Sequence, residues 1–214
     1  MEPASFVDAV REAKATELDR LGSQQSVVAL TDADLTTEAV LGALARSEAA
    51  ARETFSGWAE TEADEEAREA FASLARTEGD HYDRVVAELD GEDRDLDESP
   101  GEVDPMHEHL RGLSTTVERA AGLVGRSLVG DRAQVQVVNF FVNEADERRA
   151  DVVRELRAET RQAAEEGAKL LATRCDGEDD WERARDVAEQ TVRVAYDDYA
   201  ETLEGMGLDP KPLC

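Results

Sequence analysis

Lysine is almost missing from this chain: Lys14, Lys169 and Lys211 are the only three, so its basic charge rests on arginine. Against 24 Lys+Arg stand 51 Asp+Glu, a formal net charge of −27. A face that binds a nucleic-acid backbone must be basic, and no arginine cluster outweighs the surrounding acid, which argues against direct nucleic-acid binding. Carboxylates spread over the whole chain with so little lysine match the surface chemistry of halophilic proteins, in which acidity reports the solvent rather than a partner. Cysteine is equally scarce. Cys175 and Cys214 belong to no CxxC pair, which excludes a zinc ribbon or a rubredoxin-type iron site. A disulfide between them is the minority expectation in a reducing compartment. Long apolar runs are absent too. The longest, QVQVVNFFV at 134–142, falls well short of the roughly 20 residues of a membrane span, and the charged start MEPASFVDAVREAK lacks the pattern of a secretory leader. The expectation is a cytoplasmic protein without a membrane anchor.

What the chain has in quantity is Ala, Glu, Arg and Leu with little β-branched alternation, the signature of an all-α protein. Residues 1–35 read as an N-terminal helix near 5–21 and a connection, LGSQQSVVALTDAD. Residues 36–214 read as a helical bundle. Its first hairpin, 36–90, pairs a helix ending near Glu62 with one from about Asp64 to Leu89, joined by a short gap that makes them antiparallel. GEDRDLDESPGEVDP at 91–105 is the clearest loop. Extended, it reaches on the order of 45 Å, the length of a bundle helix, so it can cross from one end of a bundle to the other. Residues 106–206 then read as a helix over 106–129, a short apolar segment over 131–143, and helices over 145–174 and 179–205.

The first hairpin carries polar residues where its apolar stripes call for leucine. In the first helix the inner positions are Leu41, Leu44, Glu48, Ala51, Phe55 and Trp58; in the second they are Ala67, Phe71, Leu74, Glu78, His81, Val85 and Leu89. With the turn centred near Ala63, Glu48 lies fifteen residues before it and Glu78 fifteen after. The two carboxylates therefore meet at one height, with His81 a turn away on the same face. Facing carboxylates cannot both be buried and ionised without a proton or cation between them, and a metal ion held by carboxylate oxygens and an imidazole nitrogen satisfies all three groups. The competing reading is an ordinary i,i+3 pair on a solvated edge, reached by shifting the second stripe to Phe71, Ala75, Glu78, Tyr82 and Val85. His107 and His109 read as surface histidines, and Trp58 and Phe55 as core. No Ser/His/Asp or Cys/His constellation, GxGxxG or P-loop is present.

SEAAARETF around Glu48, followed thirty residues later by ARTEGDHYDRVV, resembles the first half of a rubrerythrin or ferritin-like di-iron bundle, in which a glutamate on one helix and an ExxH on the next supply ligands. The resemblance implies an antiparallel four-helix bundle with a long crossover after the second helix and extra helices at both ends. It implies Glu48, Glu78 and His81 as ligands of iron, as one ion or two, or of manganese, and an oxidase or peroxidase activity in oxidative-stress defence. It is confined to residues 36–90. The family's second glutamate and second ExxH have no counterpart in the stripe Met106, Leu110, Leu113, Val117, Ala120, Val124 or in Trp181, Ala184, Ala188, Thr191, Ala195, Tyr199, Leu203. Glu144-Ala145-Asp146-Glu147 reads better as a helix start. Without a four-cysteine module, redox chemistry would need an external electron donor. The alternative is a non-catalytic helical interaction or regulatory module with a degenerate site. A homodimer is compatible with either.

Overall fold

The computed structural model describes residues 2–89 and 103–210, and every regular element among them is helical. In order these are α1 (Pro3–Ala13), α2 (Ala15–Leu21), α3 (Gln25–Leu30), α4 (Thr37–Thr61), α5 (Glu65–Val86), α6 (Pro105–Arg111), α7 (Thr116–Asn143), α8 (Glu147–Arg174) and α9 (Glu178–Gly205). The long helices start where short polar side chains take up free amides. Thr36 accepts from the Ala39 N–H, Asp64 from Ala67 and Asp146 from Arg149. Thr115 and Glu118 form a capping box at the start of α7.

Ion pairs at the helix ends fix the directions. Arg119 near the start of α7 meets Glu62 at the end of α4 at 3.1 Å, so α4 and α7 are antiparallel. Arg174 at the end of α8 holds Asp64 before α5 at 2.7 Å, and Arg148 near its start holds Glu88 at 2.7 Å, so α5 and α8 are antiparallel. α5 and α7 consequently run the same way, and the segment joining them starts at one end of the bundle and finishes at the other. Most of the expected crossover, and Cys214 with any pairing to Cys175, lie outside the described residues.

Four expectations need correction. The N-terminal helix breaks at Lys14 into α1 and α2. The connection after it contains α3, which packs Ser26 and Val27 inward. The helix expected over 106–129 is two elements, because residues 112–115 interrupt it and Thr115 caps a new start. The apolar segment 131–143 is the continuation of α7, which runs unbroken to Asn143. α7 is the central helix, and small residues let its neighbours approach. A Cβ on Gly167 of α8 would lie 2.8 Å from the Ala120 carbonyl oxygen, and one on Gly125 of α7 would lie 2.7 Å from that of Ala188 in α9.

The core falls into two apolar clusters. One holds Phe55, Trp58, Phe71 and Leu110 with the inner faces of α8 and α9; the other holds Leu41, Leu44, Val85, Val137, Phe141 and Leu156. Between them, at the level of Glu48 on α4 and Glu78 on α5, lies a polar layer.

Candidate metal centre

Glu48, Glu78 and His81 are each only 1% exposed, so the solvated-edge reading fails; Tyr82, which that reading placed inside, is half-buried. The three side chains converge. His81 Nδ1 lies 3.6 Å from Glu48 Oε2 and 3.5 Å from Glu78 Oε2, and one ligand atom from each residue falls within 4.8 Å of the others. His81 Nε2 lies 3.2 Å from Glu159 Oε2 on α8, a carboxylate contact on the far nitrogen of the kind that orients a ligand imidazole. Two atoms at the centre, Glu48 Oε2 and His81 Nδ1, are buried without a hydrogen-bond partner.

Sequence reasoning anticipated that something positive must sit among these carboxylates but not what the fold supplies. Arg126 enters from α7, 3% exposed. Its Nη1 donates to Glu78 Oε1 at 2.8 Å and its Nη2 to Glu78 Oε2 at 3.3 Å, with Glu48 Oε2 3.7 Å away. The guanidinium lies over the Phe55 ring, 5.7 Å from its centroid. Gln134, about two turns further along the same face of α7, donates from Nε2 to Glu48 Oε1 at 3.3 Å. A lone arginine in the apolar run AAGLVGRSLV was the available signal, since a buried charge needs a partner. Glu159 gave none, standing among other acids on a charged helix.

The electrostatics follow from this packing. Burial and the neighbouring Glu78 push the Glu48 carboxyl up to about 7. Burial opposes ionisation of Glu78 too, but Arg126 and His81 hold its carboxyl well below the usual range. Burial would depress His81, yet the two glutamates raise it to about 10. With both carboxylates ionised, the guanidinium and the imidazolium balance them, and Glu48, raised to about 7, is the carboxyl most readily protonated. A divalent cation would take the place of the imidazolium proton.

No further carboxylate arrives from the interior of α7 or α9, as their stripes implied. Glu144 and Glu147 are exposed and Asp146 caps α8. His107 departs from expectation. It is fully buried where α6 packs on α4, with Nδ1 3.1 Å from Thr54 Oγ1, and burial lowers it to about 4. No family model, curated protein sequence or solved structure matches the chain, so the site is read from its own geometry.

Proposed function

We propose that this is a ferritin-like helical protein that holds one divalent first-row ion, iron or manganese, between Glu48, Glu78 and His81. The observation carrying this is the pair of unpartnered buried atoms, Glu48 Oε2 and His81 Nδ1, which face one another beside Glu78. Ligand atoms about 2.1 Å from a common ion sit roughly 3.0–3.5 Å apart, and a mixed oxygen and nitrogen donor set suits Fe(II) or Mn(II). The parallel course of α5 and α7 agrees with the crossover connection of that fold. Arg126 stands where a two-metal bundle would bring ligands from the second helix pair, which favours one ion over two. Such an ion supplies Lewis-acid and one-electron chemistry. Glu159 orients the imidazole, Gln134 orients Glu48, and Arg126 keeps Glu78 ionised. An external electron donor completes the oxidase or peroxidase reading.

The same arginine supports a second reading, a non-catalytic helical module in which Arg126 and protonated His81 close the charge cluster and no ion enters. Metal analysis of protein purified without chelator, followed by titration of stripped protein with Mn(II) and, anaerobically, Fe(II), decides between them. The metal reading expects one ion per chain, lost in Glu48→Gln and His81→Gln. Wild type binding no more than those variants would leave the second reading.

A further inference from the structure

Glu159 is the member of the polar layer that reaches solvent. Its side chain is 40% exposed, whereas Glu48, Glu78, His81, Arg126 and Gln134 are each 4% exposed or less. The imidazole of His81 is therefore a partition between the centre and the surface. Its Nδ1 faces Glu48 and Glu78 at 3.6 and 3.5 Å, and its Nε2, across the ring, meets Glu159 Oε2 at 3.2 Å. Glu159 is held in turn by Arg84, one turn beyond His81 on α5, which donates from Nη1 to Glu159 Oε1 at 3.1 Å. Arg84 Nη2 also donates to Glu155, one turn before Glu159 on α8. A chain of contacts thus runs from Glu155 through Arg84 and Glu159 to the buried ring. Its outer side chains are 69%, 33% and 40% exposed, and ion pairs this exposed are weak, so they open by side-chain rotation without unpacking a helix. On the side of α7 the way in is closed: Arg126 grips Glu78 through two buried hydrogen bonds and repels an approaching cation.

We propose that Arg84 and Glu159 form a latch on the His81 ring, and that a divalent ion enters and leaves the centre along the seam between α5 and α8 when the latch opens and the ring turns. The ion's route rests on the metal reading; control of access to His81 does not. Two measurements on the full chain test them. In metal-free protein, diethyl pyrocarbonate modifies a histidine only when it reaches a ring nitrogen, and peptide mass spectrometry separates His81 from His107 and His109, the only other histidines. Arg84→Met keeps the aliphatic stem and removes the guanidinium. It should speed His81 modification about threefold, the scale of one half-exposed ion pair, with His107 unchanged. Loss of a cation alone would act the opposite way, because it favours the protonated ring, which does not react. Arg84→Lys should restore most of the wild-type rate. Glu155→Gln, which leaves Arg84 one partner, should give a smaller rise and serves if Arg84→Met does not fold. In protein loaded with Mn(II), transfer of the ion to excess EDTA should likewise be about threefold faster in Arg84→Met, with the dissociation constant changed less than the rate. An arginine acting only through its charge would give slower release on removal, since the site is left more negative. Unchanged or slower His81 modification in the folded variant would overturn the latch, and unchanged or slower Mn(II) release would overturn the route. Faster modification in a protein that binds no Mn(II) would sink the metal reading, and the route with it, while leaving the latch standing.

Discussion

Replacing Arg126 by glutamine should separate the two sources of positive charge at the polar layer. The glutamine amide can still donate one hydrogen bond to Glu78 but carries no charge, so Glu48 and Glu78 remain buried with His81 as their only inner cation. Removing one partner of a buried ion pair costs about 3–5 kcal/mol. For a chain of this size each kcal/mol shifts the midpoint by roughly 2–4 °C, so the stripped variant should melt about 6–20 °C below stripped wild type. Metal should reverse this. A divalent ion at about 1,000 times its Kd stabilises by about 4 kcal/mol, and without the guanidinium 2.8 Å from Glu78 the ion meets less repulsion and a more negative site. Thermal melts by circular dichroism with chelator and with Mn(II) therefore should show a larger metal-induced rise in Arg126→Gln than in wild type. An equal or smaller rise would refute a site shared between arginine and metal, and a stripped variant as stable as wild type would refute the charge balance assigned to the cluster.

Glu118 governs part of the acid limb of stability. Burial opposes its charge, but Arg183, at 2.5 Å, and the Ser114 and Thr115 amides hold its carboxyl down at about 2. Because the folded value lies below the unfolded one, roughly 4.3, its contribution is complete above that value and lost as pH falls through it towards 2. Glu118→Gln, with Arg183 largely exposed, should cost about 1–2 kcal/mol at pH 7 and progressively less as pH falls through the folded value of about 2; equal losses at neutral and acid pH would point to lost capping alone. Gly167→Ala should destabilise by about 1–3 kcal/mol through overpacking against the Ala120 carbonyl, whereas Gly57→Ala, with open space at its Cβ, should be neutral or stabilising as a helix substitution, a contrast read in denaturant midpoints. A net charge of −27 should make the melting midpoint climb with salt as the Debye length shrinks from about 10 Å at 0.1 M to about 3 Å at 1 M; a flat response would contradict a salt-adapted surface.

The sequence by itself determined the helices of the first hairpin and the inner face of α4, and narrowed that of α5 to two stripes between which the burial of His81 decides. Every residue of both stripes, from Leu41 to Trp58 and from Ala67 to Leu89, is buried, because helical periodicity assigns a face without reference to any partner. It also determined that Glu48, Glu78 and His81 share a height, since two antiparallel helices joined by a short turn have nearly fixed register. The tertiary structure alone decided what faces them. Arg126, Gln134 and Glu159 reach the site from α7 and α8 across intervals of 48, 86 and 78 residues, and such pairings depend on the interhelical approach that Gly125 and Gly167 permit. His107 likewise read as a surface residue of a helix over 106–129, until the structure showed it buried where the separate α6 docks on α4. Local pattern fixes which side of a helix turns inward; the charge waiting there is set by whichever distant helix packs against it.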